Sequence, residues 1–266
     1  MIRVFFLVLT LSSCTGFRYG NDLLIPGGRD RYLTSEARFL FGKYSVGNEL
    51  YTPTDKENPE IPYGDRPWSA WTFVEREDVD RVGFGEENVL RSRIGGLGDY
   101  SFGKEIQQFV HDSLTDLGRP QTHPTWAGQN PAQIGAEVIV SRRTREYLQS
   151  AIGDSRLTNE YGIRFGNVVD ELFLDQELRK HFWKYLDIFA GITGKVVAFN
   201  THLDGRMFES NVYTVDKQWF VAAGRLGFEL KKNDYAFGYQ YQYMTEEFEG
   251  QEARHLYGTF TFGWKF

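Results

Sequence analysis

The sequence predicts an all-β fold: a transmembrane antiparallel β-barrel of about twelve strands, with a short helix in one rim loop. Three observations carry this. The C-terminal third alternates with period two over stretches of ten or more residues, longer than the roughly 5–6 residues usual in soluble sheets and matched to the roughly 9–11 that a tilted strand needs to cross a bilayer. The 266 residues are 16 % aromatic and include 28 glycines, yet 25 % are charged and mean hydropathy is −0.45. A chain that greasy and that charged fits strands with two unlike faces. Finally, nothing beyond the N-terminus supplies the roughly 18 consecutive apolar residues of a spanning helix. The aromatic content excludes disorder. A net charge of −6 and a pI near 5.5 argue against a nucleic-acid partner, whose binders concentrate basic surface.

The chain opens with Met1-Ile2-Arg3, the apolar run Val4 to Leu11, and Ser12-Ser13-Cys14. This is the charged, hydrophobic and small-residue layout of a secretory signal, expected over 1–13 and followed by one barrel domain over 14–266. Leu11-Ser12-Ser13-Cys14 also reads as a lipobox, with ordinary signal cleavage as the alternative to lipidation of Cys14. A single cysteine excludes an internal disulfide.

Strands are expected at Phe17–Asp22, Tyr32–Lys43, Gly47–Pro53, Trp68–Glu77, Val89–Leu97, Ala136–Glu146, Tyr161–Asp170, Glu171–Leu178 and Leu186–Thr201. Then come the legible three. Phe220, Ala222, Gly224, Leu226, Phe228 and Leu230 alternate with Val221, Ala223, Arg225, Gly227 and Glu229; Tyr235 to Tyr243 alternates aromatics with Ala236, Gly238, Gln240 and Gln242; and Tyr257 to Phe266 alternates Phe260, Phe262 and Trp264 with Thr259, Thr261 and Gly263. The terminal Phe266 resembles the signal read by the barrel assembly machinery. The count is twelve, an even number as bacterial barrels prefer; weak alternation around Ser45–Gly47 and Val169–Lys180 leaves ten as the alternative.

Two segments break the pattern. Thr52 to Pro67 is rich in Pro, Asp, Glu and Gly and reads as a loop. Gly98 to Pro131 is longer, and within it Ile106, Val110 and Leu114 form one helical stripe while Gln107 and His111 share a face one turn apart. In a meander, Asn21-Asp22 at the end of the first strand and Thr34 at the start of the second meet on one rim.

The ordered pieces Asn21-Asp22, Asp30-Arg31-Tyr32-Leu33-Thr34, Tyr51-Thr52-Pro53, Gly64-Asp65-Arg66-Pro67-Trp68-Ser69-Ala70-Trp71, Gly103-x-Glu105-x-Gln107-x-x-x-His111 and Pro124-Thr125-Trp126-x-x-Gln129 resemble the outer-membrane lipid A 3′-O-deacylase family. The resemblance implies a twelve-stranded barrel of the bacterial outer membrane that hydrolyses an acyl ester of lipid A, the lipid moiety of lipopolysaccharide, with Ca2+. It implies His111 as catalytic histidine, Gln107 beside it, Asn21 and Asp22 as the first-strand pair and metal candidates, Thr34 as the hydroxyl residue, and Lys56 as the substrate-binding loop lysine. Arg66 is a second substrate-binding candidate, and with Asp65 also reads as an ion pair at a strand edge. The chain departs from the family pattern at Glu36 and Gln133, which motivates an inactive structural or binding barrel as the alternative. A monomer is expected.

The residue types suit that chemistry. Ester hydrolysis needs a base for water, and an imidazole with an unperturbed pKa of about 6.5 suits that role. A hard cation held by oxygens suits the developing oxyanion. The competing route is a nucleophilic serine as in outer-membrane phospholipases, with Ser101, Ser113 and Ser69 available. Trp68-x-x-Trp71 reads as an interfacial aromatic belt, and Arg142, Arg143 and Arg145 as possible phosphate contacts.

Overall fold

The computed structural model describes residues 15–25, 32–57, 60, 64–83, 86–117, 124–129, 132–143, 146–153, 156–165, 186–207, 213–232, 234–252 and 254–264. Among these, twelve antiparallel strands close into a barrel: β1 (Gly16–Asn21), β2 (Tyr32–Phe41), β3 (Tyr44–Thr52), β4 (Ser69–Gly83), β5 (Glu86–Leu97), β6 (Gln133–Arg143), β7 (Glu146–Gly153), β8 (Arg156–Phe165), β9 (Leu186–Asn200), β10 (Phe220–Lys232), β11 (Tyr235–Met244) and β12 (His255–Trp264). Each strand pairs with its sequence neighbours, and β1 closes on β12 from Gly16 opposite Gly263 to Asn21 opposite Gly258. Helix α1 (Gly103–Asp116) stands in the loop between β5 and β6, and the one-turn helix α2 (Thr201–Asp204) follows β9. No helix among the described residues is long and apolar enough to cross a membrane.

Faces are inverted relative to a soluble protein. Val74, Leu90, Ile94, Val138, Val140, Ile152, Ile192 and Leu226 are exposed on the outer wall, while Arg38, Glu75, Arg93 and Glu137 are buried inside. Buried charge is tolerated only when paired, and here it is. Arg38 donates to both oxygens of Glu75 at 3.1 and 3.2 Å, Arg93 donates to Glu75 and, at 3.2 Å, to Glu137, and Arg225 donates to Glu160 at 2.7 Å. The network surrounds a lumen cavity of about 480 Å3.

The rims differ. Gly42-Lys43 alone joins β2 to β3 at one end, and the long helix-bearing loop between β5 and β6 stands at the opposite, outer end. Side chains close that outer end: Tyr32, Leu203 and Phe248 form one buried cluster, and Leu50, Trp68, Ala70 and Trp126 another.

The expected count of twelve is correct, but its membership changes. Ala136–Glu146 runs past the end of β6 at Arg143 to the first residue of β7 at Glu146, two antiparallel strands that the sequence pattern did not separate. The strand expected from Tyr161 begins at Arg156, and the one expected at Glu171–Leu178 lies outside the described residues, as do 1–14 and Phe266. The Trp68-x-x-Trp71 expectation is overturned. Trp68 and Trp71 are enclosed rather than in a membrane belt, Trp68 stacking on Trp126 and Trp71 packing on Phe73 beneath the Arg93 guanidinium. Arg142 and Arg143 end β6 at the rim opposite α1, which removes them from any site on the helix side; Arg145 lies outside the described residues.

Candidate active site

Helix α1 is inside out. Gly103, Gln107 and His111, four residues apart and therefore on one face, are buried, with Gln107 4 % and His111 8 % exposed. Phe102, Phe109 and Leu117 on the other side are 64 %, 70 % and 78 % exposed, and Ile106 and Val110 also face outward. The Gln107–His111 stripe is turned toward the barrel, and both the apolar stripe and the charged Lys104, Glu105 and Asp112 face away from it. Glycine at the first helical position permits this close seat: a Cβ on Gly103 would collide with the Ala70 side chain of β4 and reach 3.0 Å from the Trp126 ring.

Trp126 joins the helix to the barrel wall. Its indole N–H donates to Gln107 Oε1 at 2.9 Å, and its ring stacks on Trp68 with centroids 4.9 Å apart. The residue has a left-handed backbone, φ 57°, a conformation that costs a bulky residue on the order of 1–3 kcal/mol and survives where surrounding packing over-determines it. His111 and Trp126 line a cavity of about 240 Å3 together with Lys104, Gln108 and Pro124.

The second group of expected residues forms on β1 to β3. The β2/β3 register shifts between Leu33 and Ser35, so Thr34 occupies a β-bulge, a device that re-aims a side chain. The Thr34 carbonyl accepts from Asn21 Nδ2, which also donates to the Tyr19 hydroxyl at 2.9 Å, and Thr34 Oγ1 lies 2.6 Å from Thr52 Oγ1. Asp22, itself buried, opens a 3-10 turn directly after Asn21. Lys56 is buried, and its carbonyl accepts from the Thr125 N–H at 3.2 Å, tying this loop to the segment that carries Trp126. The structure thus unites Asn21 with Thr34, Gln107 with Trp126, and the Lys56 loop with Thr125, all on the helix-bearing rim.

Arg66 sits differently. It is fully enclosed, over the Tyr51 ring at 4.4 Å and 3.6 Å from Glu247. Asp65 accepts instead from the Arg66 N–H at 2.7 Å and the Thr54 N–H at 2.6 Å, stapling its own loop, so no side-chain pair joins Asp65 to Arg66 as expected. The two departures are absorbed elsewhere: Glu36 lies 3.2 Å from Arg38 and 3.6 Å from Arg18 in the lumen, and Gln133 donates to Thr201 at 3.4 Å.

Sequence reasoning missed one constellation. Ser69 Oγ lies 2.7 Å from His202 Nδ1, and Glu49 lies 4.0 Å from His202 Nε2. The spacing mimics a serine triad, but Ser69 and His202 are both fully enclosed. Burial, joined by the field of Arg156, pushes the imidazole down to about 3, too weak a base to activate a hydroxyl near neutrality. A signal was present only in hindsight: Asn200, whose side chain accepts from the His202 backbone N–H, caps α2 and holds the His202 backbone.

For a metal, no three His, Cys, Asp or Glu side chains converge among the described residues. With its amide NH2 committed to Thr34 and Tyr19, Asn21 has its side-chain carbonyl at the end away from those bonds, and the buried Asp22 carboxylate follows it in sequence. An all-oxygen set with a single carboxylate fits a weakly held hard cation such as Ca2+ and not zinc, which takes nitrogen and sulfur.

Comparison with known proteins agrees with this architecture. Residues 35–180 and 182–266 match the family described as outer membrane protein LpxR. The solved structure of LpxR from Salmonella typhimurium superposes with a TM-score of 0.72 at 20 % identity, covering 96 % of this chain and 100 % of that one. The P. putida toluene transporter TodX gives a TM-score of only 0.38 at 9 % identity, covering 97 % and 92 %, and informs nothing further. No curated protein matches. With twelve closed strands, an apolar outer wall and a family match along most of its length, the chain belongs to the LpxR family of bacterial outer-membrane proteins.

Proposed function

We propose that this barrel is a lipid A deacylase, an ester hydrolase that removes an acyl chain from lipopolysaccharide at the outer leaflet, with His111 as general base. The observation that carries the reading is the inside-out helix. Its exposed Phe102, Ile106, Phe109, Val110 and Leu117 suit a lipid environment, while Gln107 and His111 face inward immediately behind them. An ester at the junction of acyl chain and sugar lies at that boundary. Lys56 adds positive charge on the same rim, suited to a phosphorylated headgroup.

Water held by His111 gives a proton to the imidazole as its oxygen attacks the acyl carbon. Breaking the carbon–oxygen bond then returns that proton to the departing sugar hydroxyl, leaving a free fatty acid. Ca2+, held by Asp22 and the Asn21 carbonyl, would act as a Lewis acid toward the ester carbonyl when bound. Thr34, fixed by Thr52, supports the Asn21 side chain through its own carbonyl. Enclosure of Arg66 favours a role in holding Tyr51 and Glu247 rather than in contacting substrate.

Mass spectrometry of lipid A from cells expressing the protein tests this. The wild type removes one acyl chain, His111→Ala leaves lipid A intact, and chelating calcium suppresses the wild-type effect. An unchanged lipid A in the wild type with added calcium would overturn the reading.

A further inference from the structure

We infer that Trp126 is a positioning residue: it fixes the polarity of the Gln107 amide, so that the amide NH2 is presented as a hydrogen-bond donor to the carbonyl oxygen of a bound ester. The inference deepens the esterase reading and rests on it.

An indole N–H can only donate. The Gln107 atom it meets at 2.9 Å is therefore the carbonyl oxygen, and the NH2 group is necessarily the other end. That NH2 is enclosed in a residue only 4 % exposed and has no hydrogen-bond partner among the described residues. Native structures rarely leave a buried donor unsatisfied, and functional sites are where they do.

Trp126 cannot easily yield. It is pinned by its stack on Trp68 and by its left-handed backbone, with the Gly103 end of α1 pressed against its ring.

The same polarity argues against Gln107 as the group that orients the imidazole. A histidine acting as base offers one nitrogen to water and needs an acceptor for the N–H of the other. The acceptor end of Gln107 is turned to Trp126, and its unspent function is donation. One turn from His111, a fixed donor matches the oxygen on which charge develops during attack.

The test uses purified, folded protein with lipid A and calcium. Trp126→Phe keeps the ring against Trp68 and removes the N–H; kcat is expected to fall about tenfold with KM unchanged, against about a hundredfold for Gln107→Met. The double variant should be no slower than Gln107→Met alone, because Trp126 acts through Gln107. Wild-type kcat in Trp126→Phe, or losses that multiply in the double variant, would overturn the proposal. Should the Phe variant fail to form a heat-modifiable barrel, benzothienylalanine at 126, which replaces N–H by sulfur, carries the same expectation.

The hold itself is read without turnover. The Trp126 indole proton should be protected from exchange in the wild type and unprotected in Gln107→Met; fast exchange in the wild type would overturn it. An inactive wild type with a protected indole sinks the esterase reading, and with it the ester oxygen as acceptor, while leaving the Trp126–Gln107 hold standing.

Discussion

At the residue scale, the outer rim separates two kinds of histidine by what encloses them. His111 lies on the buried stripe of a rim helix and shares a cavity with Trp126, whereas His202 is sealed between Ser69, Tyr51 and Glu49. Burial and the neighbouring Arg156 hold His202 neutral, pushed down to about 3, against about 6.5 in the unfolded chain. Between those values the unfolded chain binds the extra proton, so stability is full above about pH 6.5 and is lost as pH falls toward 3. Glu247 adds to the loss at the acid end: burial opposes its charge, but the bond from His255 and the field of Arg66 more than offset that and hold the carboxyl well below its usual range. Urea unfolding should therefore show about 2 kcal/mol less stability at pH 5 than at pH 7.5, and His202→Gln should flatten that slope; equal slopes would show that His202 is not the group responsible. His111 and Gln107 were legible from their i, i+4 spacing, and Asn21 with Thr34 from the meander. The Thr34 bulge and the His202 pairing were not, because both depend on contacts between strands distant in sequence.

At the element scale, helix α1 is the part whose pattern is most easily misread. Ile106 and Val110 form the stripe that in a soluble protein would pack inward, yet they face out and Gln107 and His111 face in. The amphipathic spacing gives the stripe but not its direction, which depends on whether lipid or water surrounds the helix. If lipid does, Phe109 contributes on the order of 1.5–3 kcal/mol when buried. Phe109→Glu should then lower turnover of lipid A in bilayer vesicles at least tenfold while leaving hydrolysis of a short soluble ester unchanged. Equal losses on both substrates would place the effect in folding. The strands show a similar limit. Most were readable from alternation, but β7 was not, because it has only eight residues and on its lipid-facing side the apolar Leu148 and Ile152 are separated by Ser150. A strand that short, with so few apolar residues on its outer face, merges with its neighbour in the sequence pattern.

At the scale of the whole molecule, the chain's combination of aromatic and charged residues is explained by an apolar wall around a paired lumen. Glu75 is the hub, accepting from both Arg38 and Arg93. Glu75→Gln leaves two guanidinium groups short of a partner and should cost about 3 kcal/mol in denaturant unfolding, without altering which acyl chain is removed. A stability within 0.5 kcal/mol or so of wild type, the range of a neutral surface change, would mean that Glu49 and Glu137 take over its charge. The central claim is that the rim site on α1, and not the enclosed Ser69–His202 pair, hydrolyses the lipid ester. The most direct test is the mass of lipid A after incubation with purified protein and calcium. The wild type and the Ser101→Ala, Ser113→Ala and Ser69→Ala variants should each remove one acyl chain, and His111→Ala should be slower by at least a hundredfold. Undiminished turnover in His111→Ala, or its abolition in a folded Ser69→Ala, would contradict that claim.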